Sequence, residues 1–336
     1  MNARYLSMPV LMTLAASCLI TASRVEAGTY VGTQAELWPN GVVPYEWAPD
    51  FIAANQQYVL DAMAVWEGVA NIQFVPRNDE DDYVLIQNAG EGAGSNARVG
   101  RGEGGARTFN IRESWSGWSP SAILYGLAHE VGHVLGFHHS HQRPDRDLYI
   151  DVKYERINDC KYGNFDIDAG SLGWPRDRMD FDSIMSYGQC IFSTCNYDLD
   201  DECECDDEEC PRWAGRSCAE EFCCSDDPSI CAGLDILPPN ESWQASMGQR
   251  SHLSDIDIQL MSFLYPPADW KFVENDAPSL PGSGSFHRPY KTLPFASFLA
   301  PEDTTLWIVP DTYQGSANVY DKPMLWKATH GVVVAE

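Results

Sequence analysis

Residues 129–139 read His-Glu-Val-Gly-His-Val-Leu-Gly-Phe-His-His. His129 and His133 stand four apart, so on a helix both imidazoles leave from one face, with Glu130 beside them. Gly136 lets the backbone leave the helix and bring His139 back as a third ligand. Three neutral imidazoles on a tetrahedral ion leave one position for water, the arrangement of a catalytic rather than a structural zinc site. The predicted ligands of a single Zn2+ are therefore His129, His133 and His139, and Glu130 is the group placed to move protons. Histidine usage agrees, since five of the eight histidines fall within residues 129–141. A bare His-Glu-x-x-His pattern arises by chance on surface helices; the added glycine and third histidine at fixed offsets separate this run from that background. His138 and His141 do not fit the spacing and read as neighbours of the site.

A helix has to carry this pair. Ser119 and Pro120 suit its N-cap and first turn, and Ile123, Leu124, Leu127, Val131 and Val134 form its apolar face. Gly126 and Gly132 lower helix propensity, so close packing is expected at both. Upstream, residues 50–70 read as an amphipathic helix with Tyr58, Ala62, Trp66 and Val69 at helical spacing. Residues 73–75 and 83–86 read as strands. Seven glycines between 90 and 105 lack the spacing of a nucleotide-binding loop and predict turns and a bulge. Residues 106–112 alternate as a strand does.

The metal run continues through Ser140-His141-Gln142-Arg143-Pro144-Asp145-Arg146-Asp147. Later come Asn164-Phe165-Asp166-Ile167-Asp168 and Asp182-Ser183-Ile184-Met185-Ser186-Tyr187-Gly188. Leu37-Trp38-Pro39-Asn40-Gly41-Val42-Val43-Pro44-Tyr45 and Phe74-Val75-Pro76-Arg77 precede it; Met247-Gly248-Gln249-Arg250 and Leu253-Ser254-Asp255-Ile256-Asp257 follow. Over most of residues 37–265 the chain resembles the astacin family of metzincin endopeptidases. The resemblance implies an α+β fold: a two-lobed catalytic domain with a twisted sheet and a zinc-binding helix. It implies that Tyr187 is a second catalytic residue, donating to the oxyanion, and that Met185 is an apolar floor under the histidines. It also implies that residues 106–112 form the exposed edge of the cleft. A protein or peptide substrate in extended form would lie there, held by main-chain hydrogen bonds that make little demand on sequence. Arg143, Asp145, Arg146 and Asp147 read as an ion-pair and turn network.

The chain departs from the family in three places. Ser140 stands where a glutamate usually follows the third histidine. The cysteines that usually precede the zinc helix are absent from residues 28–159, so the family's disulfides do not carry over. Tyr30-Val31-Gly32-Thr33 is the nearest echo of a latency motif and lacks its acid, so the expectation is an enzyme active once exported, folded and loaded with zinc.

Residues 1–27 read as a signal peptide, with Arg4, an apolar run and the small-x-small site Val25-Glu26-Ala27. That run is too short for a stable membrane span, and secretion is preferred over lipid anchoring at Cys18. Removal of the leader leaves ten of the eleven cysteines, nine of them within residues 190–231. In an exported protein this density predicts a disulfide framework. Residues 189–233 form a Cys-rich insertion with thirteen acidic residues between positions 198 and 227. A solvated stapled loop is the primary reading and calcium binding the weaker one, because the calcium-loop glycine is missing. A net charge of −27 excludes nucleic acid as a partner. Residues 28–267 are assigned to the catalytic domain, 268–285 to a Pro/Gly/Ser-rich linker, and 286–336 to a small β-rich appendage resembling one coil of a parallel β-helix. A single coil must pack on something else to bury a core. A monomer is expected.

Overall fold

The computed structural model describes residues 28–102, 104–174, 178–193, 232–277, 282–313, 322–329 and 334–335. The first half runs β1 (Gly28–Tyr30), β2 (Val42–Trp47), α1 (Gln56–Glu67), β3 (Gln73–Pro76), β4 (Tyr83–Asn88), β5 (Asn96–Ala97), β6 (Ala106–Ile111) and α2 (Pro120–Val134). The second half runs β7 (Ile150–Val152), β8 (Leu172–Trp174), β9 (Leu234–Ile236), α3 (Asp255–Leu264), β10 (Trp270–Val273), α4 (Leu293–Leu299), β11 (Thr305–Ile308), β12 (Thr312–Tyr313), β13 (Leu325–Ala328) and β14 (Val334–Ala335).

The main sheet has the order β3-β2-β4-β6-β5, with β5 antiparallel and the other pairings parallel. Val84, Ile86, Phe109 and Ile111 are fully buried and share one core with Val59, Met63 and Trp66 of α1 and with Leu127 and Val131 of α2. Burying each such side chain contributes about 1.5–3 kcal/mol. The Trp66 indole N–H donates to Ala128 O (2.8 Å), tying α1 to the helix that carries the histidines. The resulting α+β class agrees with expectation. Two details do not. Tyr58 is 39% exposed, and Val59 and Met63 join Ala62 and Trp66 on the buried face instead. The strand at 106–111 is not the sheet's free edge, because the glycine-rich segment folds back and pairs Asn96 with Asn110 and Ala97 with Phe109. The short β5 occupies that edge.

A second, smaller arrangement organises the chain around β1. Its three residues pair antiparallel with β8, and on the other side Val31 N–H donates to Gly136 O (2.9 Å) while His138 N–H donates to Thr29 O (3.0 Å). The reversal after α2 is thus sewn into a strand from the beginning of the described chain.

Residues 270–273, expected within a linker, form β10 and stack in parallel register on β11 and then β13. The reason is aromatic packing. Phe263 of α3 meets Trp270, Phe272, Phe286 and Trp307 at centroid distances of 4.8–6.1 Å, and burying these rings outweighs the turn-forming composition around them. Cys190 is disulfide-bonded. The expected signal peptide, the disulfide pairing within 194–231 and the calcium reading lie outside the described residues. No described helix is long and apolar enough to cross a membrane.

Candidate metal centre

Helix α2 begins as the sequence predicts: Ser119 Oγ accepts from Ala122 N–H (3.2 Å) and Pro120 fills the first turn. Its other end is a Schellman motif. Gly136 N–H donates to His133 O and Phe137 N–H to Gly132 O, both 2.9 Å, with Gly136 at φ +107°, a conformation costly for any residue with a Cβ. This stop aims Phe137 O back at the helix, where it accepts from His133 Nδ1 (2.7 Å).

Each of the three imidazoles is held the same way. His129 Nδ1 donates to Ile184 O (2.7 Å), and His139 Nδ1 donates to the side-chain oxygen of Gln142 (3.0 Å). A carbonyl only accepts, so each Nδ1 carries the proton and each Nε2 presents a lone pair. His133 Nε2 and His139 Nε2 face each other at 3.1 Å. Two lone pairs so placed repel unless a cation lies between them, and tetrahedral zinc with bonds of 2.0–2.1 Å sets its nitrogen ligands about 3.3 Å apart. One ligand nitrogen from each of the three rings lies within 4.8 Å of the other two, and no other such group of His, Cys, Asp and Glu occurs among the described residues. The donor set fits a zinc ion. Burial, the largest cause in each case, lowers the pKa of His133 to about 4 and those of His129 and His139 well below the ordinary value, so all three rings are neutral, the form a metal ligand requires.

Glu130 sits in the same helical turn, and the backbone of Ala97 in β5 hydrogen-bonds to its carboxylate. Burial raises its pKa to about 8, against the opposing pull of Arg250. A divalent cation next to the carboxylate acts in Arg250's direction and favours the ionised form. Tyr187 lies over His139, with ring centroids 4.3 Å from His139 and 4.2 Å from His141, and Phe165 and Phe192 flank it at 5.8 Å. Burial, with a smaller contribution from Glu130, pushes its hydroxyl up to about 12. It is therefore a proton-bearing donor at neutral pH.

Met185 is buried under the helix, where a Cβ on Gly132 would meet its sulfur at 2.7 Å. Close packing therefore explains Gly132. It does not explain Gly126, beside which there is open space. His138 turns away from the centre and pairs with Asp168 (2.8 Å). Arg143 is fully buried and chelates Asp145 through two bonds of 2.7 and 2.6 Å, and Arg146 pairs with Asp147 and donates to His141 O. Ser140 is buried too; its N–H donates to Met185 O (3.2 Å), and its hydroxyl has no partner among the described residues.

Sequence reasoning passed over two contributors, Gln142 and Arg250, while His141 is the neighbour of the site that it expected. Gln142 orients His139, His141 stacks under Tyr187, and Arg250 places a half-buried guanidinium within electrostatic reach of Glu130, Tyr187 and Asp257. Arg250 is held by Ser186 O (3.2 Å), Gly248 O (3.1 Å) and Gln249 O (2.8 Å). Its membership in the Met-Gly-Gln-Arg run was the available signal.

The family model described as Astacin (Peptidase family M12A) matches residues 30–199. Zinc metalloproteinase nas-39 of Caenorhabditis elegans is 30% identical over 240 residues, which cover 69% of this chain and 21% of that protein. Astacin-like metalloprotease toxin 5 of Loxosceles gaucho is 35% identical over 159 residues, covering 47% of this chain and 80% of the toxin. The first curated relatives are much longer proteins, and the chain spans about a fifth of their length. High choriolytic enzyme 1, a hatching enzyme zinc-protease from Oryzias latipes, shares the fold at a TM-score of 0.51 and 23% identity, covering 73% of this chain and 98% of that one.

Proposed function

This chain belongs to the astacin family, peptidase family M12A, and from that premise we propose that it is a secreted zinc-dependent endopeptidase. It hydrolyses internal peptide bonds in protein or peptide substrates bound in extended form, acting as a monomer. The observation that carries this reading is the set of three imidazoles, two buried and His139 half-buried, each held through Nδ1 so that its Nε2 lone pair faces the others, with Glu130 adjacent.

His129, His133 and His139 would hold the zinc ion, which supplies Lewis acidity that polarises a carbonyl and acidifies water. Glu130 accepts the proton of the attacking water and delivers it to the leaving amine nitrogen, serving as base and then as acid. The Tyr187 hydroxyl donates to the oxyanion that develops on the scissile carbonyl. Arg250 keeps positive charge near both groups and biases Glu130 toward its ionised form. The substrate backbone lies along β5, the strand at the sheet edge, whose Ala97 also contacts Glu130; an extended peptide adds to such an edge by main-chain hydrogen bonds.

Export rests on the leader pattern of residues 1–27 and on the cysteine density of residues 190–231. The catalytic domain spans residues 28–267, with residues 189–233 as its insertion. The β-helix-like segment begins at β10 and covers the aromatic flank of α3. The decisive experiment is cleavage of a peptide library by the purified chain, with and without a zinc chelator, beside Glu130→Gln. Cleavage that survives chelation, or a Glu130→Gln protein with wild-type turnover, defeats the proposal.

A further inference from the structure

Asp257, in the first turn of α3, is 1% exposed, and the chemistry above makes no use of it. Two of its hydrogen bonds belong to the capping box of its own helix. Asp257 N–H donates to Ser254 Oγ (2.9 Å), and Ser254 N–H donates to Asp257 Oδ2 (3.1 Å). The other two leave the helix: Ser183 Oγ donates to Oδ1 (2.7 Å) and Ile184 N–H to Oδ2 (2.8 Å). A cap alone has no need of these.

From Ser183 the connection continues. Having given its proton to the carboxylate, Ser183 Oγ accepts from Met185 N–H (3.0 Å). The peptide unit bearing that N–H ends in Ile184 O, which accepts from His129 Nδ1 (2.7 Å). The backbone links along this path have a fixed direction, because an N–H donates and a carbonyl only accepts, and an ionised Asp257, accepting two backbone N–H bonds at Oδ2, also accepts from Ser183. All members are buried, and in such surroundings successive hydrogen bonds polarise one another. His133 makes an informative contrast, since its Nδ1 is held by Phe137 O four residues away and the path from Asp257 does not include it.

We propose that Asp257 is a positioning residue for His129: through Ser183 and the Ile184–Met185 peptide it holds the ring in the orientation and tautomer that present Nε2 to the metal. This rests on the reading of His129 as a zinc ligand. Outer partners of metal-bound histidines typically change metal affinity by about 10–100-fold, and a partner acting through a hydroxyl and a peptide belongs at the lower end.

The test uses the full chain and two readouts independent of turnover: zinc affinity by chelator competition, and histidine tautomers by 15N NMR of the metal-free protein. Asp257→Asn and Ser183→Ala should each weaken zinc binding about tenfold and give His129 a mixture of tautomers while His133 keeps its own. Ser254→Ala removes the capping hydroxyl and no link of the path, so it should lower the melting temperature and leave zinc affinity and tautomers unchanged. The proposal is overturned if Asp257→Asn and Ser183→Ala retain the His129 tautomer and wild-type affinity. It is equally overturned if Ser254→Ala weakens zinc as much as Ser183→Ala does. Should Asp257→Asn fail to fold, Ser183→Ala decides alone. A wild-type chain that binds no zinc defeats the metal-centre reading itself, and the tautomer measurement then judges Asp257 separately.

Discussion

Two walls enclose the candidate metal centre, and different physics holds each in place. The α2 wall is local: its ligands are set by helical spacing, and the partner of His133 lies four residues away in the turn that ends the helix. The wall formed by residues 183–187 has no regular structure to fix it. It depends on side chains more than sixty positions distant, with Asp257 on one flank and Arg250 on the other. A helix satisfies its own backbone, whereas an irregular buried segment must find a partner elsewhere for each polar group. The local wall can therefore supply ligands, while the non-local wall decides how they are oriented.

The largest effect should come from the local wall. His133→Ala removes one of three ligands and a Schellman-anchored contact; activity should fall to the level of chelated enzyme, with zinc content below one equivalent by elemental analysis. Glu130→Gln leaves the ligands in place, so zinc should remain stoichiometric while kcat drops by about 10²–10⁴. On the other wall, Tyr187→Phe should lower kcat by about 10² with KM little changed, since the lost donor acts on charge formed only in the transition state. An unaltered kcat there would remove tyrosine from the mechanism and leave the helix wall to do the chemistry.

The seam between the walls is tested by two substitutions of one type. Gly132→Ala drives a Cβ into the Met185 sulfur and should destabilise the fold by about 1–3 kcal/mol. Gly126→Ala, on the same helix but facing open space, should instead stabilise by up to about 1 kcal/mol. Thermal melts of the pair read the sign directly. Equal shifts would mean that Met185 does not press on the helix.

The legibility of the molecule follows the same division. His129, Glu130, His133 and His139 were readable because the helical period and one glycine give their juxtaposition without reference to the rest of the chain. The place of Tyr187 beside His139 was readable only through resemblance, since a Met-x-Tyr pair alone signals packing. Arg250 and Gln142 went unnoticed, for their roles arise from contacts that no spacing encodes. The sheet edge was misplaced by one strand because glycine-rich segments carry little periodicity, and the return of Asn96 and Ala97 onto β6 is a non-local pairing. Similarly, Pro, Gly and Ser around residues 268–285 predicted a linker, while burial of Trp270 and Phe272 against Phe263 made a strand of part of it.

Residue type and short-range spacing were enough to specify the helix that carries the histidine pair, its cap, its glycine stop and the candidate ligands it offers. Folding alone decided which carbonyl each imidazole meets, which strand borders the cleft, and that a carboxylate seventy-three residues beyond Ile184 holds the loop that orients His129. The reason is that hydrogen-bond direction within a helix is written into its period, whereas the partner of a buried loop group is set by whichever distant segment comes to lie against it.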